Sequence, residues 1–99
     1  MADIELREDV KQALRVTGSD FDQEIADIIL AAKSKLYLSG VALEAVEAEP
    51  VDPLVKRAII VYAKSEFGMD NPDSEKYMAS FDSLARHLAL SGDYQDSVS

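Results

Sequence analysis

The side chains able to do chemistry in this chain are few and far apart. One histidine, His87, is available as a general base. A general base needs a nucleophile to activate and a third group to orient it. The chain has no cysteine, which excludes a thiol nucleophile, a thiolate metal site and a disulfide framework, and fits a reducing compartment. No serine–acid pair is spaced to serve His87, which falls with Ser80, Ser83 and Arg86 on the polar side of an amphipathic helix. The four glycines stand singly, at positions that read as helix ends or turns, so neither standard phosphate loop is present.

Two carboxylate clusters and one tripeptide complete the search. From Asp20 the run Asp-Phe-Asp-Gln-Glu begins like a calcium loop, but Ile25 stands where the sharp-turn glycine is required and Ala31 where the bidentate glutamate belongs. From Asp70, Pro72 and Phe81 occupy ligand positions. These acids read as helix caps, and no metal or cofactor is expected. Asp82-Ser83-Leu84 resembles the Asp-Ser-Leu at which acyl carrier proteins, also small, acidic and four-helical, bear a phosphopantetheine arm. In those proteins the serine opens an acidic helix; Ser83 falls mid-helix and precedes Ala-Arg-His-Leu-Ala-Leu. No catalytic residue is assigned, and the chain reads as a non-enzyme.

The elements that carry these residues are helical. The first helix is expected from about Ile4 to Val16, with Leu6, Val10, Ala13 and Leu14 as its stripe, Asp3 as cap and the Thr17-Gly18-Ser19-Asp20 cluster as its stop. The second runs from near Asp22 to about Ser39, with Asp20 or Asp22 as cap and Gly40 just past its end. Its core stripe is Ile25, Ile29, Ala32 and Leu36, with Ile28 beside it. Leu30 and Tyr37 lie about 100° or more around the helix from that stripe. They face either a second neighbour in the same domain or another subunit. Residues 41–51 read as an exposed acidic loop with room for one helical turn, ended by Pro50.

The third helix opens at Asp52-Pro53, a cap followed by proline at the first helical position. Leu54, Val55, Ala58, Ile59, Val61 and Tyr62 cover about half its circumference, and Ile60, Ala63 and Phe67 much of the rest, as expected for a central, buried helix. Arg57 and Lys64 form its polar ridge, and Gly68 ends it. Asn71-Pro72 repeats the device and opens a fourth helix to about Leu90, with Tyr77, Phe81, Leu84 and Leu88 as core stripe. Ser91-Gly92 stops it. With no strand-period alternation and brief connections, the expectation is an all-α, compact bundle of about four helices, one domain over 1–99 with 91–99 as a flexible tail.

Composition bounds the function. Forty-seven per cent of the 99 residues are apolar, and each Leu, Ile or Phe fully buried contributes roughly 1.5–3 kcal/mol. A core built from a dozen of them leaves a small margin over the ordering cost, typical of proteins stabilised further by assembly. No run approaches the ~18 apolar residues of a membrane span, and the N-terminus lacks signal-peptide character, so a soluble protein retained in its cell is expected. Nineteen acids oppose ten bases; twelve acids and five bases fall in residues 1–52 and seven and five in 53–99. Nucleic-acid binding needs clustered Lys and Arg, which this chain lacks.

The order of features resembles the phage head–tail connector family, the head-completion or adaptor proteins of tailed bacteriophages. Three parts carry the resemblance: Leu6 to Leu36, with Ala-Leu-Arg-Val, the turn Ser-Asp-Phe-Asp and then Ile-Ala-Asp-Ile-Ile-Leu-Ala-Ala-Lys; Asp52-Pro-Leu-Val-Lys-Arg-Ala-Ile to Phe67; and Leu84 to Tyr94, closing Leu-Ala-Leu-Ser-Gly-Asp-Tyr. Many relatives have an Arg-Glu pair where this chain has Lys64-Ser65-Glu66-Phe67-Gly68. The resemblance implies a subunit that assembles as a ring under the portal, extends the DNA channel and docks a tail or stopper protein. It implies a place at the head–tail junction of the virion, in the host cytoplasm during assembly, with no membrane partner. DNA would pass without specific binding, past an acidic lining that repels phosphate. The candidate interface residues are Leu30, Tyr37, Glu44, Glu47, Glu49, Arg57 and Lys64, with the Arg57/Lys64 ridge of one subunit set against the acidic 44–49 segment of the next. The alternative is a small acidic protein-binding module, a regulator or DNA-mimic inhibitor, and behind it an acyl-carrier-like protein or a helix-turn-helix DNA binder.

Overall fold

The computed structural model describes residues 2–48, 50–67 and 72–91. They form five helices: α1 (Ala2–Leu14), α2 (Asp22–Leu38), α3 (Leu43–Val46), α4 (Pro53–Glu66) and α5 (Ser74–Leu90). There is no strand among the described residues. Four long helices and the one-turn α3 make an all-α bundle, as the periodicity predicts. Central position falls to α4, which packs against α1, α2 and α5. Its sequence explains this: Val55, Ala58, Ile59, Tyr62 and Ala63 are all buried, while Ile60, Val61 and Phe67 pack on the same core from its margins.

The helix ends show which local signals acted. Asp52 caps α4 as expected: its carboxylate accepts the backbone N–H groups of Leu54 at 2.9 Å and Val55 at 3.2 Å. The end of α2 also follows its sequence. Gly40 adopts φ +110°, its N–H donates to the Tyr37 carbonyl, and that of Val41 donates to the Leu36 carbonyl. Val41 and Leu36, both buried, complete this helix stop with an apolar contact.

Other ends depart from expectation. α1 begins at Ala2, so Asp3 falls within the helix and not at its cap position. α1 stops at Leu14, before the glycine cluster, because Arg15 itself takes φ +61°. The Arg15 N–H donates to Gln12 and the Val16 N–H to Lys11, the same stop that Gly40 makes, built on a non-glycine residue. At the start of α2 the cap position falls to Phe21, with no side-chain capping bond. Neither Asp20 nor Asp22 caps the helix, because Asp22 is drawn to Lys11 instead, at 2.8 Å.

α5 begins at Ser74, with Asp73 at the cap position and Pro72 in the turn before it. The Ser74 hydroxyl donates to the Ser65 carbonyl at 2.7 Å, tying this start to the last turn of α4. Gly68, Asp70 and Asn71, read above as a helix stop, a carboxylate cluster and a cap, lie outside the described residues, as do Glu49 and 92–99. The stripe of α5 is also turned from the expected one. Phe81, Ala85 and Leu88 are buried, and Tyr77 and Leu84 are half-buried at its edge. Small Ala85 lets α5 settle towards α4, with Phe81 and Tyr62 packed ring to ring at 5.0 Å. Burial, and secondarily the nearby Glu66 charge, push the Tyr62 hydroxyl above its ordinary pKa of 10.0.

Residues 41–48 are less exposed than their acidity suggests. Val41, Ala42 and Val46 are buried, so this connection forms part of the core, while Leu43, Glu44 and Glu47 face outward. Three buried residues in so short a segment are too few to define a period.

Candidate functional site

Three surface regions hold the chain's unusual groups. The first is the corner between α1 and α2. Lys11, only 8 % exposed, donates through Nζ to the Gly18 carbonyl, pairs with Asp22 at 2.8 Å and lies 3.8 Å from Glu8. The Lys11 ammonium, by hydrogen bonding and by charge, holds the Asp22 carboxyl below its usual 3.8, against the opposing effect of desolvation, with Arg7 adding a smaller pull. Sequence reading missed Lys11 because a lone lysine in a helix ordinarily points to solvent.

The second region is an apolar groove of about 370 Å³ between α2 and α3, lined by Leu30, Tyr37, Leu38, Leu43 and Val46. Its rim carries a Lys33–Glu47 ion pair at 3.5 Å. Leu30 is 62 % exposed, Tyr37 55 %, Leu38 82 % and Leu43 54 %. Single exposed leucines are ordinary, but four large apolar side chains around one groove are the usual mark of an interaction surface. Leu30 and Tyr37 therefore touch no second neighbour within the bundle that buries them. Leu38 and Leu43 belong with them and were not singled out from the sequence; Leu38 sits one residue from Tyr37 and carries the same signal.

The third region is a groove of about 660 Å³ between α4 and α5. Ile60, Val61 and Leu84 supply apolar lining, Arg57 and Lys64 line one wall and Ser80 and Ser83 the other. Lys64 sits over the Tyr77 ring at 5.8 Å. Lys56, in the same wall, is held by Asp9 at 3.1 Å. Arg57 is exposed.

The predicted interface residues thus separate into two groups. Leu30, Tyr37 and Glu47 come together at the α2–α3 groove, with Glu44 exposed on α3 nearby in the chain. Arg57 and Lys64 come together at the α4–α5 groove. Glu49 lies outside the described residues. His87 is exposed on α5, and among the described residues no cluster of three His, Cys, Asp or Glu could hold a metal ion. No helix among them is long and apolar enough to cross a membrane.

A sequence model of the family described as phage connector protein matches residues 6–95, nearly the whole chain. The chain belongs to the phage connector family. Searches among curated proteins and among solved structures returned no match. Membership gives the connector a structural role in the phage particle. In that light the grooves are of interest as contact surfaces for other protein, and the helix caps and stripes as the scaffold that holds them in place.

Proposed function

We propose that this connector is a ring-forming subunit of the head–tail junction. It sits under the portal, extends the DNA channel and docks a tail or stopper protein, and it catalyses no reaction. One observation carries this most strongly: Leu30, Tyr37, Leu38 and Leu43 expose a grouped apolar surface at the α2–α3 groove. Such a surface is stabilised by burial against another protein and costs solubility if left open. The net charge of −9 suits a conduit wall, since it repels phosphate and favours passage over binding. Portal and tail proteins are the expected partners, with no cofactor and no membrane.

The test is to mix the purified connector with its portal and follow it by light scattering and negative-stain imaging. Rings seated on the portal are expected. A connector that stays monomeric and unbound at all concentrations, with portal present, would overturn the proposal.

A further inference from the structure

The α4–α5 groove and the exposed face of α3 carry complementary groups, and among the described residues none of α3 lines that groove. On α4, Arg57, Ile60, Val61 and Lys64 recur at three- and four-residue spacing, on the opposite side of the helix from the buried Val55, Ile59 and Tyr62. This outer side, with Leu84 of α5, forms the groove. α3 packs on α2. Leu43 and, just past its end, Glu47 lie at i and i+4 on one side of it, and Glu44 is exposed next to Leu43.

The internal pairings single out which groups are available. Lys33 holds Glu47, and Lys64 lies against Tyr77. Among the described residues no hydrogen bond or ion pair engages Glu44 or Arg57. An exposed leucine beside an unpaired carboxylate therefore faces, on a second copy, an apolar-lined groove beside an unpaired guanidinium. Arg suits this place, because its weakly hydrated, planar head pairs with carboxylate over an apolar surface. Nucleic acid fits the groove less well: of the three cations that line it, Lys56 is held by Asp9 and Lys64 lies over Tyr77, and a chain of net charge −9 gives phosphate little attraction.

We infer that the α4–α5 groove receives α3 of a second copy, with Leu43 entering against Ile60, Val61 and Leu84 and Glu44 pairing with Arg57. Two different surfaces meet, so the contact is heterologous and propagates from copy to copy until rotation closes it. This rests on the proposed ring and names its mating faces.

The absence of native cysteine makes the contact directly testable. Full-length Glu44→Cys and Arg57→Cys variants are mixed at concentrations up to millimolar and treated with a short bismaleimide. A mixture of Glu44→Cys with Glu24→Cys, another exposed position, is the control. The first mixture is expected to give about tenfold more covalent dimer than the control, the enrichment of a specific contact over random collision. A variant carrying both Glu44→Cys and Arg57→Cys is expected to give a ladder of linked copies. In sedimentation, Arg57→Glu or Glu44→Arg alone should weaken self-association about tenfold, and the two together in one chain should restore it. Cross-linking no better than the control overturns the pairing. If wild-type rings still form on the portal in that case, the pairing alone falls; if they do not form, the ring proposal falls with it.

Discussion

Against the first turn of α2 a lysine of α1 is buried, and at the last turn of α2 large apolar side chains are exposed. Lys11 and Asp22 close the α1–α2 corner with an ion pair, and the Gly18 carbonyl accepts a further hydrogen bond from the ammonium. Tyr37 and Leu38, at the other end of the same helix, stand open to solvent with Leu43 of α3. Each arrangement inverts the usual distribution of polar and apolar groups. The difference lies in satisfaction. The corner has partners for its charge within the chain, so its cost is already offset there. Among the described residues nothing covers the α2–α3 groove, so its apolar surface is open to another protein. Burial of charge marks a part that builds the fold; exposure of grouped apolar surface marks a part that acts outside it.

That contrast can be broken by substitution. The largest effect on folding is expected from Lys11→Ala, which strands Asp22 and the Gly18 carbonyl. Loss of a charge-assisted bond costs about 2 kcal/mol, read as a lower urea midpoint by far-UV circular dichroism. A change below about 0.5 kcal/mol would place Lys11 among ordinary surface residues.

Acid should weaken the same corner. The folded Asp22 carboxyl titrates below its unfolded value of 3.8. Its stabilising share is therefore complete above the unfolded pKa and is lost as pH falls below 3.8 through the folded pKa. Urea midpoints of the wild type and Asp22→Asn should converge over that interval, the variant showing the flatter profile. Parallel profiles would remove Asp22 from the corner's energetics.

A smaller gain is expected at the neighbouring helix stop. Arg15 holds φ +61° without glycine's freedom, so Arg15→Gly should raise stability by about 0.5–1 kcal/mol. Gly40 already occupies the equivalent position of α2, and a loss on Arg15→Gly would mean that the arginine side chain contributes there.

The smallest effect on folding is expected at the opposite end of α2. Combined Leu30→Asp and Tyr37→Ser should leave helicity unchanged and stability within about 0.5 kcal/mol, yet abolish ring formation. A large loss of stability would show that these residues belong to the fold after all.

Legibility followed the range of the interaction. Asp52-Pro53 and Gly40 were readable because capping and positive φ are satisfied within a few residues of the chain. The stripes of α1 and α2 were readable because one long period records one buried side; α4, apolar around most of its circumference, reads as buried throughout, yet leaves Leu54 exposed and Ile60 and Val61 lining an open groove. The stripe of α5 was displaced by about one residue's rotation, since the choice between Leu84 and Ala85 depends on how closely α4 approaches. Residues 41–51 read as exposed from the sequence, yet Val41, Ala42 and Val46 bury themselves through contacts no local pattern encodes. Leu30 and Tyr37 were visible as apolar residues off the stripe of α2; their grouping with Leu38 and Leu43 was not.

The sequence by itself determined an all-α chain, the ends of its best-capped helices and, through the order of its parts, the connector family. Those are properties of local backbone preference and hydrophobic period. Only the tertiary structure decided that Lys11 is used up inside a corner, that Glu47 and Lys64 already have internal partners, and that Glu44 and Arg57 have none among the described residues. Whether a charged side chain is free depends on which distant side chains the fold brings within reach, and spacing along the chain does not contain that distance.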